Sequence, residues 1–399
     1  MGTPCVLATN DDPSPRSRTK LTDGCTRLRR IETKFGTGRE YSVGIEEEFQ
    51  LLDAESYGLT SRIGEVLAVV GPDRQIKSEL MQSVVETATQ PARSVPEAIA
   101  DAASLRRHRS GAAGERGALI ASAGTHPFSR YEHQEITPES RYEELIEAMQ
   151  WVAERELIFG LHIHVALASG PKAIAVAGAL RAWLPELLAL SVNSPFWQGR
   201  DTGLASTRIK LFDAFPRSGL PPALSSWEEF ERLVERGVRT NAFRDYTYIW
   251  WDLRPHPNLG TIEVRICDAQ TPLERTAALA ALVQSLVVTL GEHWERGGRL
   301  PVEPAMLVDE NRWRAARYGL ETDLIWLERD EERPAREAAL RLVELAAPAA
   351  SRLGCSGELE GIERICDEGT GTEEQRRRAG SESLVALTRW LAEETVQRL

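Results

Sequence analysis

The chain has 399 residues, 42% of them hydrophobic, enough for a large buried core and too many for one small domain. Its 48 Lys+Arg against 60 Asp+Glu leave a formal net charge of −12, an acidic balance that repels polyanions and argues against nucleic acid as a partner. The cysteines (Cys5, Cys25, Cys267, Cys355, Cys366) are odd in number and never spaced C-x-x-C, and no apolar run approaches the roughly 20 residues that span a bilayer; the reading is a cytoplasmic protein without disulfide framework, zinc knuckle or membrane partner.

In chain order, residues 1–40 are rich in Thr, Ser and Arg, contain Asn10-Asp-Asp-Pro-Ser-Pro and lack apolar periodicity, which predicts a disordered leader ahead of one domain over 41–399. From Tyr41 the pattern alternates: Val43, Ile45, Phe49 and Leu51 fall on one face of a strand, and Gly44, Glu46, Glu48 and Gln50 on the other. Glu47 interrupts the apolar face, and the sequence does not say what it meets. The β-branched Val84, Val85, Thr87 and Thr89 predict a strand that projects Glu86, while Glu79 and Gln82 stay unassigned. Helices are expected over 95–110, 139–156, 172–191, 226–238, 273–296 and 332–353, with short strands near 117–123, 158–167, 245–252 and 260–267. Beyond Pro301 the chain is mostly helical and charged, a helical layer rather than a catalytic segment, and the piece near 367–373 reads as a loop. Strands and helices without strict βαβ alternation predict an α+β fold with an antiparallel or mixed sheet covered by helices.

Three strands pair a clean apolar face with a face of ionisable groups. In Gly44-Ile-Glu-Glu-Glu-Phe49, a rise of about 3.3 Å per residue puts Glu46 and Glu48 roughly 7 Å apart on one face, a spacing suited to one shared cation or two neighbouring ones. His162 and His164 share a face in Gly160-Leu-His-Ile-His-Val165, as do Glu263 and Arg265 in Thr261-Ile-Glu-Val-Arg-Ile266. Each run alone reads first as a solvated outer face. If all three join one sheet whose other face is packed by helices, their polar faces converge on one surface. Two carboxylates about 6 Å apart repel by roughly 3 kcal/mol at an effective dielectric near 20, and divalent cations are the usual compensation. Glutamate oxygens with few His and no Cys suit Mg²⁺ or Mn²⁺ better than zinc.

Two further stretches are rich in polar groups. The run from Asn193 to Arg208 carries Arg200, Asp201, Ser206 and Arg208, which reads either as a loop that holds a substrate carboxylate or phosphate or as an ordinary surface loop. Trp250-Trp251-Asp-Leu-Arg254-Pro-His-Pro257 reads as a pocket wall or as a core strand ending in a proline-bounded turn.

There is no G-x-x-x-x-G-K-[ST], no Rossmann glycine fingerprint, no H-E-x-x-H and no G-x-S-x-G, which argues against a P-loop kinase, a typical dehydrogenase, a zincin and an α/β-hydrolase. Several ordered blocks do carry a resemblance: Gly44-Ile-Glu-Glu-Glu-Phe49, Glu79-Leu-Met-Gln-Ser-Val-Val-Glu86, Gly124-Thr-His-Pro127, Gly160-Leu-His-Ile-His-Val165, Asn193-Ser-Pro-Phe196, Arg254-Pro-His-Pro257, Gly260-Thr-Ile-Glu-Val-Arg265 and Glu310-Asn-Arg-Trp-Arg-Ala-Ala-Arg-Tyr-Gly319. Together, from about Tyr41 to the C-terminus, they resemble the type 2 glutamate–cysteine ligase, or carboxylate–amine ligase, family.

The resemblance implies a glutamine-synthetase-like catalytic sheet over 41–399, with ATP as nucleotide and Mg²⁺ held by Glu46, Glu48, Glu86 and Glu263. It gives His162 a metal or phosphate role and Arg265 a phosphate role; beside them, His164 is expected as a further cofactor-binding group and Arg208 as a catalytic partner of Arg265. Arg200, Ser206, Trp251 and Arg254 are the candidate substrate contacts. The implied reaction joins a carboxylate, expected to be the γ-carboxylate of glutamate, to an amine, expected to be cysteine, through an acyl phosphate. His164 departs from the polar residue that better-studied members carry, so the amine is not carried over with the family. The rivals are an amide synthetase for another acid and amine, and a catalytically silent nucleotide-binding protein. The partners implied are small molecules, and the oligomeric state is left open.

Overall fold

The computed structural model describes residues 31–399 apart from Arg74, Asp330 and Arg398; of the leader expected over 1–40, residues 1–30 lie outside the described residues. The alternation that begins at Tyr41 becomes strand β1 (Val43–Asp53), joined in one sheet by β2 (Ile76–Ser78), β3 (Val84–Ala88), β4 (Ala118–Ala121), β5 (Gly160–Ala166), β6 (Leu253–His256) and β7 (Thr261–Asp268). Their spatial order is β6-β7-β5-β1-β3-β2, and β4 pairs with the far end of β1. Every pairing in this sheet is antiparallel, so of the two arrangements expected it is the antiparallel one that forms.

Helices α1 (Val95–Gly114), α2 (Gly170–Leu180), α3 (Leu184–Ser191), the short α4 (Thr207–Phe212) and the long α5 (Leu273–Glu295) follow in chain order. The apolar stripe of α5 explains the sidedness of the sheet. Leu279, Leu282, Val283 and Leu286 share one core with Val43 and Ile45 of β1, Ile163 and Val165 of β5, and Ile262 and Val264 of β7. Each such buried side chain contributes about 1.5–3 kcal/mol, so one face of the sheet is committed to helices and the other is left for polar groups. Gly170–Ser191 and Leu273–Glu295 are each long and apolar enough to cross a membrane by length and composition, contrary to the expectation that no segment approaches that length, and 83% of each window is buried inside the protein.

Glu47 meets Arg106. The two are nearly fully buried and form a two-bonded pair, Arg106 Nη2 to Glu47 Oε1 at 2.6 Å and Nε to Oε2 at 3.1 Å. The other Arg106 donors reach the carbonyls of Gln270, Thr271 and Thr395, and the Thr276 hydroxyl donates to Glu47. A charge on an apolar face is tolerable only when its partner and remaining hydrogen bonds are supplied, and here they are.

Past Pro301 come α6 (Ala305–Tyr318), α7 (Ala335–Leu353), α8 (Gly371–Ala379) and α9 (Leu384–Val396), the helical layer expected, with a small hairpin of Asp323–Trp326 and Glu331–Pro334 that was not. The loop expected near 367–373 is replaced by two helices meeting at Gly369-Thr370, where Thr370 and Glu373 form a reciprocal cap. The helix expected over 172–191 is interrupted by a 3-10 turn at Arg181–Trp183, after which Pro185 occupies the first turn of α3. The strand expected over 245–252 is a 3-10 turn at Tyr246–Tyr248, capped by Asp245, followed by the two-residue strand Trp250–Trp251. Residues 31–40, expected to belong to the leader, pack instead. Lys34 N–H donates to the Pro257 carbonyl, Phe35 meets Trp227 edge-on, and buried Lys172 bonds Glu40 at 2.6 Å. These anchors are single residues without periodicity, which is why no repeat in the sequence announces them.

Candidate functional site

Cross-strand register builds the polar face. Glu46 on β1 stands opposite His162 on β5, Glu48 opposite Glu86 on β3, His164 opposite Glu263 on β7, Arg254 on β6 opposite Glu263, and Lys77 on β2 opposite Glu86. Since side chains alternate along a strand, these residues project to the face away from α5. They line a cavity of about 290 Å³ together with Arg265, Glu79, Glu156, Arg141, Tyr142, Tyr248, Trp250 and His256. A smaller adjoining space of about 40 Å³ is lined by Glu48, Glu79, Glu156, His162, Arg208 and Arg265.

The contacts form two groups. In the first, His164 Nε2 lies 3.5 Å from Glu46 and 3.8 Å from Glu263, His162 Nδ1 lies 3.4 Å from Glu46, and Arg265 bonds Glu263 at 2.6 Å. One donor atom from each of Glu46, His164 and Glu263 falls within 4.8 Å of the others, close enough for one ion. In the second, Glu48 accepts the Gly160 amide, and Lys77 reaches Glu86 at 3.1 Å. A Cβ at position 160 would sit 2.4 Å from Arg208 Nη2, so any larger residue there would have to push that guanidinium off the carbonyls it holds.

Electrostatics separate the same two groups. Burial opposes ionisation of Glu46, but His164 and His162 outweigh it and hold the carboxyl well below its usual range; for Glu263, Arg254 and Arg265 do the same. Glu48, Glu79, Glu86 and Glu156 move the other way. Burial, with carboxylate neighbours, pushes Glu48 up to about 7 and Glu156 to about 8, and raises Glu79 and Glu86. Burial, then Arg265, lowers His162 to about 4, so its imidazole is neutral. Nε2 of both His162 and His164 is buried with no hydrogen-bond partner. Orphaned imidazole nitrogens beside crowded carboxylates fit a divalent cation, and an oxygen-dominated donor set fits Mg²⁺ or Mn²⁺.

Among the residues singled out from sequence, Glu46, Glu48, Glu86, Glu263, His162, His164, Arg254 and Arg265 share the main cavity. Arg208 faces the adjoining space, with Nη1 and Nη2 on the carbonyls of Ile266 and Arg265. Arg254 spends its donors on Glu263 and the carbonyls of Thr247 and Ile249, so it holds Glu263 in place rather than offering a free fork to substrate. Three of the expected substrate contacts stand apart from both spaces. Arg200 is exposed on a hairpin with Trp197, Ser206 caps α4 and bonds Asp268, and Trp251 is buried in an aromatic cluster with Phe230. The 193–208 run is thus a hairpin and a helix start rather than a loop, and its polar groups are met largely from elsewhere in the chain: Asn193 bonds Ala269 and Thr271, Ser194 and Ser206 bond Asp268, and Asp201 pairs with Arg376.

Glu79 and Glu156 were missed as site residues. Glu79 lies in the same quoted block as Glu86, which was a usable signal. Glu156 was assigned to a helix over 139–156, but Gln150 adopts φ 50° and breaks that helix into Ser140–Met149 and Trp151–Glu154, leaving Glu156 in the turn that leads into β5.

The description of glutamate-cysteine ligase family 2 matches residues 42–393. The chain belongs to this family. Among similar proteins of the family, one from Rubrobacter xylanophilus, provisionally named glutamate–cysteine ligase 2-3, is 47% identical over 369 residues, covering 92% of this chain and 100% of its own. Another, from Chloroflexus aggregans, provisionally named glutamate–cysteine ligase 2, is 40% identical over 363 residues, covering 90% and 92%. Among solved structures, the glutamate–cysteine ligase of Francisella tularensis in complex with AMP aligns with a TM-score of 0.67 at 14% identity, covering 89% of each chain. A bifunctional glutathione synthetase from Pasteurella multocida aligns with a TM-score of 0.62 at 14% identity, covering 89% of this chain and 51% of its own. At these identities the two structures show a shared fold alone, an α+β sheet covered by helices.

Proposed function

We propose that the chain is an ATP-dependent carboxylate–amine ligase that uses Mg²⁺ and joins the γ-carboxylate of glutamate to cysteine. The observation that carries the reading is the convergence of Glu46, Glu48, Glu86 and Glu263 with two orphaned imidazole nitrogens and Arg265 around one cavity. Membership in glutamate-cysteine ligase family 2 supports the reaction class.

In this reading Glu46, Glu263 and His164 would hold one cation, and the carboxylates of Glu48, Glu79, Glu86 and Glu156 near His162 would supply ligands for a second. Bound Mg²⁺ supplies charge neutralisation at the phosphate oxygens of ATP. Arg265, anchored on Glu263 at 2.6 Å, presents its remaining donors to the transferring phosphoryl group. Arg208 acts through the Arg265 backbone. The substrate carboxylate attacks the γ-phosphorus, ADP leaves, and the amine displaces phosphate from the acyl phosphate to give the amide. Catalysis rests on positioning, since the side chains form no covalent bond to substrate.

The test is a product-mass screen with ATP, Mg²⁺, glutamate labelled with ¹⁸O in its γ-carboxylate, and a panel of amines. An acyl phosphate transfers one ¹⁸O atom to inorganic phosphate, and γ-glutamylcysteine appears only with cysteine present. Unlabelled phosphate, or AMP with pyrophosphate, contradicts the mechanism. A product with another amine alone would move the chain to a different amide synthetase, and ATP binding with no ADP in any mixture would make it a silent nucleotide-binding protein.

A further inference from the structure

We infer that Arg312, on α6 and outside the cavity, is a positioning residue that sets the phosphate-facing Arg265; the inference rests on the proposed phosphoryl-transfer role of Arg265. The need for such a device comes from a break in the sheet. Along β7 and β5 the register shifts between Val264 and Cys267, so Arg265 and Ile266 have no ladder partner on β5. A bulge of this kind re-aims a side chain but leaves its peptide unit to be held by something else.

Both ends of the Arg265 peptide unit are held from outside the sheet. Its N–H donates to the carbonyl of Asp252 at 2.8 Å, and its carbonyl accepts from Arg208 Nη2 at 3.2 Å, while Arg208 Nη1 reaches Ile266 at 3.3 Å. These two supports come from different segments. Asp252 lies between the Trp250–Trp251 strand and β6, and Arg208 lies on α4, whose C-terminal cap is Asp213.

Arg312 joins the two. Its Nε bonds Asp252 at 2.6 Å, and its Nη2 and Nη1 bond Asp213 at 2.5 and 3.1 Å, with only 3% of the residue exposed. One planar guanidinium therefore fixes the separation between the segment that holds the Arg265 N–H and the helix that holds its carbonyl. An ammonium group keeps the charge but cannot span two carboxylates with a rigid fork, so lysine is the informative replacement. Removing the charge altogether would leave the buried Asp252 and the partly buried Asp213 facing each other and threaten the fold.

Arg312→Lys is compared with Arg265→Lys and the double variant in the full chain, each checked for folding by thermal melting. The positioning role predicts that Arg312→Lys lowers kcat by about 10²-fold while KM for ATP changes less than about threefold. In the double variant the loss stays close to that of Arg265→Lys alone, because both act on one group. Amide exchange followed by mass spectrometry should show faster exchange in peptides covering 261–268 in Arg312→Lys. Wild-type kcat in folded Arg312→Lys, or losses that multiply in the double variant, would overturn the role. If the wild-type protein itself releases no ADP, the ligase reading falls, and the exchange measurement still decides: unchanged exchange over 261–268 overturns the positioning claim on its own. Asp213→Asn, which weakens one arm of the fork without removing it, should give a smaller shift in the same direction.

Discussion

Glu79 shows what four crowded carboxylates cost. With Glu48, Glu86 and Glu156 close by, burial and mutual repulsion hold it well above its usual range, so the metal-free protein keeps protons on groups that a cation would ionise. Glu79→Gln relieves that repulsion and should stabilise the metal-free protein by about 0.5–2 kcal/mol, while shrinking the rise in Tm on adding Mg²⁺ and ATP. A variant that is destabilised and keeps the full ligand-induced rise would contradict a cation role for the cluster. His126 gives a pH signature away from the site. Fully buried, it accepts the Phe128 and Ser129 amides at Nδ1, and burial lowers it from 6.5 to about 4. The unfolded chain therefore binds the proton first as pH falls, and stability is complete above 6.5 and drains between 6.5 and about 4. Between pH 7 and 5 that amounts to about 2 kcal/mol, measurable by urea unfolding as the extra loss in wild type over His126→Asn. Single residues were unevenly legible: Glu46, Glu48 and Glu263 stand in alternating strands, whereas Glu79 and Glu156 sit in irregular backbone that has no period to read.

Strands carried most of what the sequence could say about the site. Period-two alternation in β1, β5 and β7 placed the ionisable groups on one face, and the antiparallel pairing of these three strands puts Glu46, His162, His164 and Glu263 side by side. What alternation cannot express is a departure from it. The bulge at Arg265, the helix break at Gln150 and the hairpin after Asn193 leave no mark in the alternation, and the last two displaced an expectation. Glu47 is the clearest case, a charge on the buried face that only the distant Arg106 explains. Glu47→Gln leaves Arg106 buried without its counter-charge, so it should cost about 3–5 kcal/mol of stability, read as a lower urea midpoint at unchanged m-value. A loss below about 1 kcal/mol would show that the pair does not lock β1 to α1 and the C-terminal helices.

At the scale of the whole molecule, the match to glutamate-cysteine ligase family 2 over 42–393 covers both the sheet and the helical layer behind it. The layer is expected to be distant from catalysis, yet Arg312 on α6 bonds Asp252, whose carbonyl holds the Arg265 N–H, just as Arg106 on α1 bonds Glu47 of β1, the strand that carries Glu46 and Glu48. Such long-range ties have no sequence spacing, which is why the fold class was readable while its cross-braces were not. The proposed chemistry depends on the sheet carboxylates serving one phosphoryl-transfer centre. ADP release with Mg²⁺, ATP, glutamate and cysteine, compared among the wild type, Glu46→Gln and Glu263→Gln with folding checked by thermal melting, tests that most directly. The wild-type rate is expected to fall by about two or more orders of magnitude in each folded variant. Near-wild-type ADP release from both would contradict that chemistry.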